Sequence, residues 1–377
     1  MSRFGIERLL FAWVLACCCA PVAAQIVIAQ VSPQEGYLGF YTRQLAHGAQ
    51  AAFEAVNMRG GVAGRKIRFI TADDGGDPER AVKIYEMLAV KESPVAFLYH
   101  VGPDSIVHVL KDGVLDRLQI PLLGTVPAID SFRTPVRPFV FHLRSGDEPE
   151  IAAIVRHLVT IGQTRLSTLY LDDPAGRGSV PIVQQALRAA GGSLAHTAAI
   201  SPGGGISDQT IARIRADGIQ AVLLFMPSET GGSVVAKLRT AGIDVPIYSV
   251  SYLDAGTLVA TAGRQHARGV AISQAVPNPY RTSLQIVRDY QRDMAALRSP
   301  VSNLSPFTLE GYIAARVLIE AVRATGKSAP TGRDVQAALK RMDLEIGGLP
   351  LRFKPNTHVG LSFLDIAVVG EDGKLIY

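Results

Sequence analysis

The segment AFEAVNMRGGVAGRKIRFITADDGGDPERAV, residues Ala52 to Val82, gathers glycine clusters, basic residues and the carboxylates Asp73, Asp74 and Asp77. That mixture suits a phosphate cradle or a metal loop, so the spacing decides. GGVAG lacks the Gly-x-Gly-x-x-Gly order that lets backbone amides wrap a pyrophosphate, and DDGGD lacks the alternating carboxylates of a calcium loop. The nearest approach to a P-loop, AVRATGKS from Ala321 to Ser328, carries alanine where the first P-loop glycine must stand. SPGGGISD, Ser201 to Asp208, fits neither fingerprint and reads as a turn from strand to helix, with Ser207 or Asp208 as the cap. The eight histidines are scattered, and His100 and His108 miss the i, i+4 spacing of a zinc helix. Neither His-Glu-x-x-His nor Gly-x-Ser-x-Gly occurs. The chain reads as a non-enzyme that needs no metal and no cofactor.

Local backbone chemistry explains the Ala52–Val82 segment better than ligand chemistry does. Gly60 or Gly61 stops a helix in the left-handed region, and Gly64 and Arg65 turn the chain into the strand Lys66 to Thr71. Asp77 then caps a second helix, with Pro78 in its first position and Glu79 at the positive end of its dipole. Gly326 likewise reads as the stop of a helix and not as part of a P-loop.

These segments need an α/β frame to hold them. Apolar bursts of strand length alternate with helix-period segments. Strands are expected at Gln25–Val31, Val95–His100, Ile120–Gly124, Arg165–Leu171, Ala221–Met226 and Val245–Val250. Helices are expected at Phe40–Met58, with Leu45, Ala49, Ala52, Phe53 and Val56 inward, and at Pro78–Lys91, with Val82, Tyr85, Leu88 and Ala89 inward. Further helices are expected at Ile151–Ile161, Ser179–Ala190, Ser233–Ala241, Ser283–Leu297, Pro306–Thr325 and Gly332–Met342, followed by a strand-rich tail. Strands that are apolar throughout, alternating with helices, specify parallel sheets covered on both faces. The rhythm runs twice, so two such lobes are expected, and no Pro-, Gly- or Ser-rich tether separates them.

Bulk properties agree with this. A chain of 377 residues with 48% hydrophobic and 19% charged content buries a substantial core and exceeds the usual size of a single one. The net charge of +5 comes without a dense Lys/Arg stripe, which argues against nucleic acid as a partner. Residues 1–24 read as a signal peptide: Arg3 and Arg8, then the apolar run Leu9 to Ala20, then Val22 and Ala24 before a cut at Gln25. A rival cut before Cys17 would leave a lipoprotein. All three cysteines (Cys17, Cys18 and Cys19) and the one tryptophan, Trp13, precede Gln25, so the mature chain would be exported without disulfides.

The Ala52–Val82 segment also resembles the most recognisable part of the leucine/isoleucine/valine-type (type I) periplasmic solute-binding proteins of ABC transporters. The order helix end, Gly-Gly, Gly-Arg, strand, Asp-Asp and Asp-Pro is similar over the whole segment. IPLLG, FVFHLRSGDEPE, ALRAAGGSL, KLRTAGIDVPIY and LEGYIAARVLIEAV extend the resemblance along the mature chain. It implies two doubly wound parallel-sheet lobes joined by three crossing strands. Residues 25–142 and 276–348 would form one lobe, and 143–275 and 349–377 the other. It further implies a periplasmic, monomeric receptor that closes on a small metabolite by hinge motion and delivers it to an ABC permease in the inner membrane. A ligand sensor of the same fold is the alternative, and a secreted hydrolase a more distant one.

The resemblance places ligand contacts residue by residue. Tyr41 and Phe307 match aromatics that pack a ligand's apolar body. Gly102 to Ser105 matches a loop whose serine grips a carboxylate, though the loop is two residues longer here. Each has a plain alternative: Tyr41 as an exposed helix residue, Phe307 as core packing, Ser105 as a helix cap. Four positions depart from the family. Ala128, following Val126 and Pro127, replaces a threonine; Ala175 replaces a tyrosine; Pro227 falls near an aromatic; Ser251, beside Tyr252, replaces the acid that balances a ligand's ammonium. A buried ammonium without a charge partner is costly. The expected ligand is therefore a small, partly apolar or carboxylate-bearing metabolite without a free ammonium, unless Asp104, Asp173 or Glu229 supplies the missing charge.

Overall fold

The computed structural model describes residues 25–297 and 304–377. The expected signal peptide, its cysteines and Trp13 lie outside the described residues.

Two sheets organise the chain. The first contains β1 (Ile26–Val31), β2 (Ile67–Ala72), β3 (Ala96–Val101), β4 (Leu122–Val126) and β5 (Val140–Phe141) in the order β2-β1-β3-β4-β5, all parallel. The second repeats that order with β6 (Arg165–Leu171), β7 (Ser193–Ile200), β8 (Ala221–Phe225), β9 (Ile247–Ser249) and β10 (Ala271–Gln274) as β7-β6-β8-β9-β10. After the hairpin β11 (Asp343–Ile346) and β12 (Leu349–Arg352), the strands β13 (Asp365–Val369) and β14 (Leu375–Ile376) add an antiparallel edge to β10. β1, β3, β4 and β8 are buried along their whole length, as expected of parallel strands covered by helices on both faces.

The chain passes between the sheets three times: after β5, after β10 and before β13. Two crossings run side by side, with His142 bridged to Val359 and the Leu361 amide donating to the Leu143 carbonyl at 2.7 Å. One apolar cluster runs from Ile28 and Leu45 in the first lobe through Leu143 and Ile151 to Leu223 in the second. Among the described residues no helix is long and apolar enough to cross a membrane.

The helices Gly36–Met58 and Pro306–Ala324 cover one face of the first sheet and approach very closely. A Cβ at Gly48 would lie 1.7 Å from the Thr308 carbonyl oxygen, and one at Gly311 would lie 2.0 Å from that of Leu45. Only glycine permits that approach. The Ala52–Val82 segment is scaffold. Gly60 and Gly61 both have positive φ and donate to the Asn57 and Val56 carbonyls; Asn57 in turn pairs with both main-chain groups of Ile67 at 2.7 and 2.8 Å. Asp77 accepts from the amides of Glu79 and Arg80. Asp73 and Asp74 are occupied by the amides of Gly75 and Gly76.

Several helices begin earlier than their apolar periodicity indicates. Those expected from Phe40, Ile151, Ser179 and Ser233 start at Gly36, Asp147, Pro174 and Ser228. Their first turns face the other lobe and not the core of their own, so they lack the apolar repeat that marks a core-facing turn.

Candidate functional site

A cavity of about 50 Å³ lies between the lobes, with its wall supplied by both. From the first lobe come Tyr37, Leu38 and Tyr41 in the first turns of the helix after β1, Pro103 after β3, and Val126 and Pro127 after β4. From the second come Leu171, Asp173 and Ala175 after β6, Phe225, Met226 and Pro227 after β8, and Tyr252 after β9. Every contributor sits at the carboxyl end of a parallel strand. In both sheets the loops after the first and third strands of the order 2-1-3-4-5 flank the topological switch point, where open α/β sheets bind ligands.

Tyr41 and Tyr252 tie the two walls together. The Tyr41 hydroxyl donates to the Tyr252 main-chain oxygen at 2.6 Å and accepts from the Ser228 amide at 3.1 Å. The Tyr252 hydroxyl accepts from the Ala128 amide at 2.5 Å and donates to the Asp147 carboxylate. Phe307 does not line the cavity; its ring stands edge-on to Tyr41, centroids 5.0 Å apart, and fixes that ring from behind. Ala128 is fully buried and meets the site through its amide.

Gly102 and Ser105 stand apart from the cavity wall. Gly102 precedes the helix Pro103–Asp112, its amide bonded to the Val126 carbonyl. The Ser105 hydroxyl is turned onto His100, 2.7 Å from Nε2, while Tyr85 holds Nδ1 at 3.0 Å. Burial lowers the His100 pKa to about 3, so the ring is neutral and forms a polar spine behind the loop.

The path of β3 explains this arrangement. Tyr99 has φ +48, which reverses the pleat, so Tyr99 reaches Glu310 (2.8 Å from its hydroxyl) while His100 faces the opposite side. Gly124 on β4 makes room: a Cβ there would lie 2.5 Å from the Tyr99 ring.

Ser251 belongs to a buried ionic cluster behind the cavity. Arg144, from the first crossing, holds Glu150 at 2.8 Å and Glu310 at 3.6 Å, donates to the Ser251 hydroxyl, and stacks 5.3 Å from the centre of the Tyr252 ring. Glu150 also accepts from the Ser251 amide and hydroxyl and from Ser273. Burial works against the charge on Arg144, but Glu310 and Glu150 hold its pKa above the ordinary value. Burial raises Asp147 to about 7, with the Tyr252 hydroxyl opposing the shift. Arg133 clamps the turn after β4, donating to the carbonyls of Ala128 and Ile129 at 2.7 and 2.8 Å. Arg144, Glu150, Asp147 and Glu310 were not singled out from the sequence, because they come from separate segments with no shared spacing.

The cavity's electrostatics are mixed. The helices beginning at Gly36 and Pro103 have no side-chain cap, so the positive ends of their dipoles are open toward the cleft, whereas the Ser228 amide at the start of a third is taken by the Tyr41 hydroxyl. Asp173 caps the helix Pro174–Ala190 through the Gly176 amide at 2.7 Å, and burial raises its pKa. Tyr37 is pushed up to about 12 by burial and by the charges of Asp173 and Asp104.

The sequence profile of the periplasmic binding protein family matches residues 25–374. The chain belongs to that family, and to its leucine/isoleucine/valine type. This periplasmic binding protein is similar to an extracellular ligand-binding receptor from Verminephrobacter eiseniae, 32% identical, the match covering 94% of this chain and all 100% of that one at a TM-score of 0.85. It is also similar to a substrate-binding periplasmic protein from Ralstonia solanacearum, 29% identical over 93% of this chain and 99% of that one, with a TM-score of 0.87. A Leu/Ile/Val-binding protein from Rhizobium johnstonii is 24% identical over 324 residues, 85% of each chain.

Proposed function

We propose that this periplasmic binding protein is the substrate-binding receptor of an ABC importer. It captures a small metabolite, amino-acid-like or an organic acid, between its lobes by hinge closure and passes it to a permease in the inner membrane. The observation that carries this reading is the cavity whose wall comes from both lobes, locked by the Tyr41 hydroxyl on the Tyr252 carbonyl. Residues 25–142 with 276–348, and 143–275 with 349–377, are the units that move. The protein acts as a monomer after export on residues 1–24. The names of its relatives, which describe substrate-binding proteins and not enzymes, support the same reading.

The ligand lacks a free ammonium near Ser251. That residue's hydroxyl is engaged by Arg144 and Glu150, and the guanidinium already balances the carboxylates there. A ligand ammonium would compete with a buried internal cation. The uncapped helix starts support a carboxylate or another hydrogen-bond acceptor in the cleft. Thermal melting of the mature protein against amino acids, amides and organic acids tests the reading: a ligand at ~100 times its Kd adds ~2.7 kcal/mol. Tight binding of leucine would contradict the ammonium argument, and no shift with any compound would contradict the receptor role.

A further inference from the structure

We propose that the ligand extends beyond the inner cavity into a polar vestibule beside the glycine-rich turn Pro202–Gly204, and that its far end bears an uncharged or cationic hydrogen-bonding group. This inference rests on the receptor reading and adds a second subsite to it.

Size sets the requirement. The inner cavity holds about 50 Å³, roughly a third of the ~150 Å³ apolar cavity that accommodates a benzene ring. An organic metabolite does not fit there alone. A second cavity of about 270 Å³ adjoins it, and Tyr37, Leu171 and Pro227 line both. The remaining wall is polar. Pro202, Gly203 and Gly204 supply a turn with little side chain to obstruct its peptide groups, and Glu229, Thr230 and Ser233 come from the helix that starts at the cleft. The motif SPGGGISD, which matches no phosphate or nucleotide fingerprint, thus takes part in the cleft.

Charge sets the chemistry. Glu229 lies in the vestibule wall and Asp173 in that of the inner cavity. The Glu229 carboxylate in the vestibule wall disfavours an anionic far end there, because like charges brought together under partial desolvation repel. A hydroxyl, amide or amine meets acceptors instead. The acceptor-bearing end lies inward, toward the uncapped helix start at Pro103.

The test uses the mature protein and a graded-length series of straight-chain carboxylic acids, each ending in methyl, hydroxyl, amide, amine or a second carboxylate. Affinity is read by thermal shift and calorimetry. The wild type should prefer members too long for the inner cavity and should bind diacids weakest. Glu229→Lys should reverse the order of end groups, gaining about tenfold for diacids relative to the amines. Ser233→Trp should abolish the preference for length by filling the vestibule. Both positions are exposed, so melting of each variant without ligand reports that it folds. Diacids preferred by the wild type, or an end-group order unchanged in Glu229→Lys, would overturn the inference while leaving the receptor reading intact. No binding by any member would overturn this inference, and the receptor reading falls with it only if the amino acids, amides and other organic acids also fail to bind.

Discussion

The Tyr41 hydroxyl donates to the main-chain oxygen of Tyr252 across 2.6 Å, joining the first helix of one lobe to a loop of the other. The Tyr41 hydroxyl oxygen also accepts from the Ser228 amide, so one phenol organises two second-lobe segments. Tyr41→Phe keeps the ring contact with Phe307 and deletes these bonds. It should lower stability by about 1–3 kcal/mol, the cost of leaving buried partners unpaired, and small-angle scattering should show a more open average shape. Unchanged melting and scattering would count against the strut.

Asp147 should make stability depend on pH. Burial raises its pKa from 3.8 to about 7, so the folded protein binds this proton more tightly than the unfolded chain does. The resulting stabilisation is complete below about 4 and is lost as pH rises through about 7. Across that window the wild type should therefore lose stability relative to Asp147→Asn, by a few kcal/mol in order of magnitude. Parallel melting profiles for the two proteins would contradict this.

Arg144 holds two buried carboxylates. Arg144→Leu leaves Glu150 and Glu310 without their cation and should cost about 3–5 kcal/mol in chemical denaturation. Neutralising the carboxylates in the same protein, with Glu150→Gln and Glu310→Gln, should recover part of that loss. A triple variant no more stable than Arg144→Leu would show that charge balance is not the reason for the cluster.

Gly124 is needed because Tyr99 occupies the space beside it. Gly124→Ala puts a Cβ 2.5 Å from that ring at a φ of +96 and should cost about 2–4 kcal/mol. Adding Tyr99→Leu should remove the steric part but not the backbone part. Equal melting temperatures for the single variant and the wild type would contradict the close packing.

The scaffold was largely legible in the sequence because its signals are local. Apolar runs gave the strands β1, β3, β4, β6 and β8, and Asp77 and Ser207 appear as caps at the predicted helix starts. The cleft was less legible. Tyr41, Val126, Ala175 and Tyr252 reach the cavity wall, yet Tyr37, Pro103 and Phe225 do so without any feature that separates them from core or loop residues. First turns that face the other lobe carry glycine, proline and serine, so periodicity places those helices four or five residues late. The reversal of β3 at Tyr99 depends on Gly124 in another strand, and the Arg144 cluster on residues more than a hundred positions apart. Neither leaves a local pattern to read.

The most direct test of the central claim is native mass spectrometry of freshly purified mature protein, followed by gentle unfolding and identification of anything released. The receptor account predicts one small organic molecule per chain, without a primary ammonium beside its carboxylate, whose return raises the melting temperature saturably. A protein that retains nothing and is stabilised by no amino acid, amide or organic acid would contradict it.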